Sequence, residues 1–249
     1  MAIRINNNKI LQRSLIKMFW AEGQKMLMSL QAPVIELAGQ TSIDDLKSRV
    51  PYVLKVDPIK DYLDNLWPKA GSLSAVDMIK RIRSKKNDPE IDYWEDYFRA
   101  YVRERSAFIA GEILDTQAKV VNSIIDNIVK DAMEEGAGIP EIEKMLRGEM
   151  EKQMTIINRY QAERIARTEV IGASNKGAFD SASSMGYEMT KEWLTSGLKG
   201  IRPSHLVYES LGAVKMDYEY APGLKHPGDP NGSPDEIINC RCDFAYNIL

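Results

Sequence analysis

PDEIINCRCDFAYNIL, residues 234–249, ends the chain and holds both of its cysteines, Cys240 and Cys242. The two histidines, His205 and His226, lie shortly before it, so every thiol and imidazole falls within the last 45 residues. Four such residues scattered at random would all fall there with a chance of about one in a thousand. The contacts that close this segment therefore decide how the C-terminal part folds.

Thiolate and imidazole are the usual ligands of structural zinc, and four of them can hold a small unit that lacks a large core. We name His205, His226, Cys240 and Cys242 as candidate zinc ligands, with Asp229 as a substitute for His226. The C-x-C spacing is not that of a common zinc finger. The alternatives are that the cysteines are small buried hydrophobic residues or form a strained disulfide, and that His205 hydrogen-bonds in a core. No cofactor is certain, but every version places His205 near Cys240 or Cys242.

Composition narrows the class of protein. The net charge of −3 with 28% charged residues gives no global basic field for nucleic acid. The chain has no apolar run long enough for a membrane span, and its first residues do not resemble a signal peptide. Two cysteines cannot build the disulfide framework of a small secreted protein. We expect a soluble protein that folds in a reducing cytoplasm.

Residues 1–88 are predicted to form a helical N-terminal region. The first 21 residues indicate a basic amphipathic helix, which either packs as a terminal helix or contacts a partner or nucleic acid. Three short helices are predicted between 31 and 90, the last of them ending in the basic cluster KRIRSKK. The expected breaks between these runs are Pro51, Pro58, Pro68 and Gly71.

Residues 89–249 are predicted to form a second region that begins with a long helix to about residue 135. Asp88 is a candidate N-cap for this helix and Pro89 a favourable first residue. The helix either runs unbroken, or it is bent or split in two at Gly111. One apolar stripe should pack against other helices. Its predicted members are Trp94, Phe98, Tyr101 and Phe108.

Two further helices are expected, at about 139–152 and 155–185, the second ended by Gly186. Alternating residues then predict a strand within 187–196. A second strand or a hairpin is expected within 212–223, and a last short strand within 242–249. The segment before His205 reads as a turn. The fold class is therefore α+β: a mostly helical N-terminal body with long helices, followed by a small β-rich C-terminal unit.

The helix over 161–176 carries a glutamate in an unusual position. Glu169 lies on a face of small apolar residues, and a buried carboxylate needs a partner, for which Arg202 or Arg241 is available. The alternative is that Glu169 lies at the edge of this face, where its carboxylate reaches solvent. We find no nucleophile–base pair, phosphate loop or dinucleotide-binding pattern, and therefore expect no enzymatic activity.

Several stretches in order resemble one known family. They are ERIARTEVIGASNKG with its A-R-T-E core, KEWLTS with its tryptophan, RPSH, LGAVKMDYEY, and PGDPNGSPDEIINCRC. In this order they resemble the minor head proteins of tailed phages, the Mu F-like head morphogenesis proteins, over about residues 120–245. The motif residues that carry the resemblance, with an expected structural role, are Arg164, Arg167, Thr168, Glu169, Asn175, Trp193, Arg202, His205, Asn239, Cys240 and Cys242.

The resemblance implies a virion protein of the phage head, present near the portal vertex and linked to head assembly and to DNA packaging or delivery. Expected partners are the portal protein and the major capsid or scaffolding protein, together with packaged DNA. Assembly would take place in the host cytoplasm, without a membrane. The alternatives are a DNA-binding module and a small metal-dependent nuclease built on His205, Glu169 and Arg202.

Overall fold

The computed structural model describes residues 3–83 and 91–249. The candidate cap Asp88, the adjacent Pro89 and the end of the basic cluster lie outside this described part. The elements are, in chain order, β1 (Ile3–Asn6), α1 (Lys9–Leu37), α2 (Ile43–Val53), α3 (Asp57–Arg83), α4 (Ile91–Glu134), α5 (Ile139–Ser184), β2 (Met189–Leu194), α6 (Pro203–Ser210), β3 (Ala213–Lys215), α7 (Pro234–Ile237) and β4 (Asp243–Ile248).

The predicted α+β class is confirmed, with long helices first and one antiparallel sheet made largely of C-terminal strands. The strand order is β1-β4-β2-β3, so β4 lies inside the sheet and pairs with both β1 and β2. All three predicted strands are present. The fourth, β1, was not predicted, and the segment expected to be only a turn before His205 leads directly into α6.

The sheet explains why the N-terminus does not begin as a helix. IRIN is too short to show a convincing strand pattern, but β4 offers it an unpaired edge. Arg4 also forms an ion pair with Glu192 of β2 at 3.2 Å. The predicted basic helix therefore starts only at Lys9, after the strand.

Contacts divide the chain into two compact units, each made of discontinuous segments. The first comprises residues 1–20, 64–102 and 164–249, and the second comprises 21–63 and 103–163. The first contains the sheet and the second is entirely helical in its regular structure. The predicted boundary between residues 88 and 89 falls outside the described residues and stays a prediction.

The second unit holds a buried polar connection among α1, α4 and α5. Gln31 donates to the side-chain oxygen of Gln117 at 3.2 Å and accepts from the side-chain amide of Asn158 at 2.8 Å. All three residues are buried. A misaligned helix would leave these amides without partners, so the connection favours one alignment of the three helices.

Proline and glycine do not break the helices of the N-terminal half as predicted. Pro51 lies inside α2 and Pro68 inside α3, which merges two predicted short helices. Pro58 is the second residue of α3, so the chain does break just before it, between α2 and α3. Burial of Trp67 and its neighbours offsets the hydrogen bond that Pro68 removes. Gly71 is a packing residue, since a Cβ there would lie 2.6 Å from the ring of Phe98.

The long helix α4 is unbroken through Gly111 and rises about 66 Å over its length. Trp94 and Phe98 are buried as predicted, and the ring of Tyr101 packs 5.4 Å from that of Trp67. The prediction was wrong for Phe108, which is exposed. Its neighbours Ser106 and Ala110 are buried and lie about 200° away around the helix, so the buried stripe has drifted past Phe108.

The two helices predicted between 139 and 185 are one helix, α5. Gly148 meets nothing within 4 Å and does not interrupt it. The predicted stop at Gly186 is confirmed, because this glycine takes the left-handed conformation with φ 72°. No helix within residues 3–83 and 91–249 has the length and apolar character needed to cross a bilayer.

Replacing Gly177 by alanine tests the close approach of α3 and α5. A Cβ at Gly177 would lie 2.2 Å from the carbonyl oxygen of Gly71, so the backbones would have to separate. We expect Gly177→Ala to lower the free energy of unfolding by about 1–3 kcal/mol in urea denaturation. Gly148→Ala in the same helix is the control and should raise it by about 0.5–1 kcal/mol. Equal effects of the two substitutions would contradict the close approach.

Candidate functional site

The closing tail, defined here as residues 238–242, is held against α5 by polar contacts. The backbone N–H of Asn239 donates to Thr168 Oγ1 at 2.8 Å, and Arg167 donates to the side-chain oxygen of Asn239. Arg202 donates to the carbonyl oxygen of Ile238 at 2.5 Å. Three motif residues, Arg167, Thr168 and Arg202, thus bind the closing tail at Ile238 and Asn239.

Asn239 itself is held in a conformation that few residues adopt. It is the one described residue other than glycine with a positive φ, 60°, a region that asparagine tolerates better than most side chains. The turn directs the chain from α7 into Cys240 and then into β4. Its cost is offset by the contacts that Thr168 and Arg167 make to Asn239.

His205 and the two cysteines come together as predicted. Nδ1 of His205 lies 3.3 Å from Cys242 Sγ and 3.9 Å from Cys240 Sγ. One donor atom from each of the three residues lies within 4.8 Å of the others, and all three side chains are buried. The N–H of Cys242 points at Cys240 Sγ over 3.4 Å, a contact that favours a charged sulfur.

The other side of the imidazole is fixed by a carboxylate. Nε2 of His205 lies 2.9 Å from Glu236 Oε2 in α7, and Ser204 Oγ donates to the same oxygen at 3.1 Å. An ionised carboxylate can only accept, so Nε2 carries the proton. In the neutral ring Nδ1 then presents its lone pair to the two sulfurs. No sequence pattern singles out Glu236, because α7 is too short to show one.

Aromatic rings enclose this group. Trp193 of β2 is fully buried, and its ring lies 5.0 Å from His205, 4.9 Å from Tyr220 and 5.6 Å from Phe244, all edge to face. Such pairs contribute about 0.5–1.5 kcal/mol each beyond their buried area. The motif tryptophan therefore packs edge to face against the imidazole of His205.

The two thiols differ in acidity. The hydrogen bond from the Cys240 thiol lowers the pKa of Cys242 to about 5. The hydrogen bond to Cys242 and burial raise the pKa of Cys240. The difference in acidity is therefore set first by the contact between the two sulfurs.

His226 does not join the cluster; the structure brings together three of the four predicted ligands. Its Nε2 lies 3.6 Å from Asp229 Oδ2, and its ring packs against Phe179. Burial lowers the pKa of His226. Asp229, predicted as the substitute, instead accepts from the backbone N–H groups of Lys225 and Asn231 at 3.1 and 3.0 Å. The buried His226–Asp229 pair thus links two residues within the proline-rich loop.

Asn175 connects three parts of the first unit. Its side-chain amide donates to the carbonyl oxygens of Pro227 and Cys242 at 2.9 and 3.4 Å. Its side-chain oxygen accepts from Asn7 at 2.9 Å and Gln12 at 3.3 Å. Asn175 is fully buried, and every hydrogen-bonding position of its amide is used. The motif asparagine therefore has a structural role.

Glu169 is buried as predicted, but its predicted pairing with Arg202 or Arg241 is wrong. Its carboxylate accepts from Trp67 Nε1 at 3.0 Å, whereas Arg202 bonds the tail. Burial raises the pKa of Glu169 to about 7, and the Trp67 contact opposes this only in part. His205, Glu169 and Arg202, the residues of the nuclease alternative, each bond to different partners. Arg164, the remaining motif residue, is exposed.

Sequence reasoning missed Lys191, which is fully buried in β2. Its ammonium donates to the carbonyl oxygens of Tyr218 and Lys225 at 2.6 and 2.7 Å, and burial lowers its pKa to about 7. Strand alternation was the available signal, since Met189, Lys191 and Trp193 must share one face. The lysine ties β2 to the loop that ends in His226.

Glu169→Gln tests the buried carboxyl through pH. The folded-state pKa of Glu169 lies above its unfolded value of 4.5, so its protonated form favours folding and this contribution is lost as pH rises towards 7. Glutamine keeps the acceptor for Trp67 without the charge. We expect Glu169→Gln to be more stable than wild type at pH 8, by up to about 3 kcal/mol, and equal to it near pH 4.5.

The measurement is urea unfolding across this pH range. Exposed Glu151 on the same helix provides the control, and Glu151→Gln should leave the pH dependence unchanged. A Glu169→Gln protein whose stability follows pH as steeply as wild type would show that this carboxyl is not buried with a raised pKa.

A family of known proteins matches the part of the chain that contains the motif residues. Residues 123–245 match the family described as Phage Mu protein F like protein, a range that contains every motif residue named above. The "Uncharacterized protein YqbB" of Bacillus subtilis (strain 168) is 30% identical over 127 residues, which cover 49% of this chain and 40% of YqbB. The chain thus spans less than half the length of that relative. No solved structure matches. Residues 123–245, just under half of the chain, are therefore similar to the Phage Mu protein F like family, which is associated with bacteriophage head morphogenesis.

Proposed function

We propose that the chain is a minor head protein of a tailed bacteriophage, located near the portal vertex and acting in head assembly and in DNA packaging or delivery. The proposal rests on one observation: the motif side chains bind other segments of the chain and hold them in place. Arg167, Thr168 and Arg202 bind the closing tail, and Asn175 binds three separate segments. The family pattern thus encodes a rigid module for assembly.

A structural role also agrees with the chemistry of the buried groups. Glu169 is held by an indole and Lys191 by two carbonyl oxygens, so each is satisfied by the protein itself. A catalytic acid or base must instead reach a proton of the substrate. These contacts support a protein without enzymatic activity of its own.

The proposed partners are the portal protein and the major capsid or scaffolding protein. Exposed apolar side chains on and beside α6, Leu206, Val207 and Leu211, support binding to proteins. Contact with packaged DNA has weaker support, because Arg4 of the basic N-terminus is paired with Glu192. Assembly is proposed to take place in the host cytoplasm, and the assembled protein to reside in the phage head.

Isolation of heads from cells producing the phage tests the proposal. An epitope-tagged chain should co-purify with the portal protein and appear in purified heads in few copies by quantitative mass spectrometry. A stop codon early in the gene should reduce DNA-filled infectious heads, and the wild-type chain supplied in trans should restore them. A chain supplied in trans with Gly148→Ala, which leaves the fold intact, is the matched control. Absence of the chain from heads, with normal particle yield after the stop codon, would overturn the proposal.

A further inference from the structure

The three-residue cluster of His205, Cys240 and Cys242 has the dimensions of a metal site. In a tetrahedral zinc site with bonds of about 2.0 Å to nitrogen and 2.3 Å to sulfur, a nitrogen and a sulfur ligand lie roughly 3.5 Å apart. The two Nδ1–Sγ distances here, 3.3 and 3.9 Å, lie on either side of this value. A cation therefore fits with small movements of side chains that are already in place.

The orientation of His205 points to the same use. Glu236 holds the Nε2 proton at 2.9 Å, which leaves the Nδ1 lone pair directed at the sulfurs. A histidine that binds a metal through one nitrogen commonly donates from the other to a carboxylate. Ser204 further fixes this arrangement through the same carboxylate oxygen, so the ring is already oriented for a ligand at Nδ1.

The backbone around the sulfurs is fixed before any ligand arrives. The N–H of Cys242 supports Cys240 Sγ at 3.4 Å, and the tail contacts from Thr168 and Arg202 set the path of the chain into Cys240. A site held in place in this way loses little conformational entropy when it binds a cation. Two thiolates and one imidazole are a donor set that selects zinc over magnesium or calcium.

We propose that this chain binds one zinc ion through His205 Nδ1, Cys240 Sγ and Cys242 Sγ, with Glu236 positioning the imidazole and a non-protein ligand such as water in the fourth position. Both cysteines bind as thiolates, so binding releases their thiol protons to solvent, and it joins α6 to the start of β4. The inference does not depend on the proposed role in head assembly, since it concerns a site within the chain.

Metal analysis of the full chain, purified under reducing conditions without chelator, tests the proposal. We expect about one zinc per chain, and intense sulfur-to-metal charge-transfer absorption after replacement by Co²⁺. Cys242→Ser should lose the zinc. His226→Asn removes the other buried histidine and is the matched control, which should keep it. Glu236→Gln should weaken zinc affinity by about 10–100-fold while retaining the sulfur signal.

Three results would overturn the site. One is that the reduced wild-type protein contains no zinc and shows no charge-transfer absorption when Co²⁺ is added. Another is a mass two hydrogens lower, which would show that the cysteines form a disulfide. The third is loss of zinc from His226→Asn equal to that from Cys242→Ser. If Cys242→Ser fails to fold, the cobalt spectrum of the wild-type chain still decides, because its intensity reports thiolate ligands.

Discussion

The hydrogen bond from the backbone of Asn239 to Thr168 Oγ1 is the contact on which the C-terminal half depends. It fixes a left-handed turn just before Cys240, and the chain leaves that turn in the direction of β4. Since β4 lies inside the sheet and pairs with both β1 and β2, its placement sets the register of the N-terminal strand as well. One side chain of α5 thus aligns segments that are far apart in the sequence.

The apolar interior of the C-terminal half also contains several buried polar side chains. Asn175, Lys191 and His205 are all essentially buried, and each has its partners among loop or tail atoms. Burying such groups gains little net stability, because each must give up water. Alternative packings would leave them unpaired, however, at a cost of about 1–3 kcal/mol for each. The buried polar groups therefore favour one arrangement of the loop and tail.

The sequence allowed the C-terminal unit to be predicted better than the helical body. The strand containing Trp193 follows from alternation, and the approach of His205 to the cysteines follows from their isolation in one segment. The merging of helices through Pro68 and Gly148 could not be predicted, because tertiary burial outweighed local propensity. Phe108 was misplaced because a four-residue spacing rotates the buried stripe slowly around α4. The partner of Glu169 was missed because Trp67 lies 102 residues away and no local pattern connects them.

The reactivity of the two thiols gives the most direct test of this account. Thr168→Val removes the acceptor of Asn239 without changing the size of the side chain, whereas Thr155→Val on the same helix removes a hydroxyl that bonds only its own helix. Alkylation of Cys240 and Cys242 should be measured in native, chelator-treated protein. The account predicts about fivefold faster modification in Thr168→Val, as expected for local opening after loss of about 1 kcal/mol. Identical rates in the two variants would contradict the claim that Thr168 holds the tail.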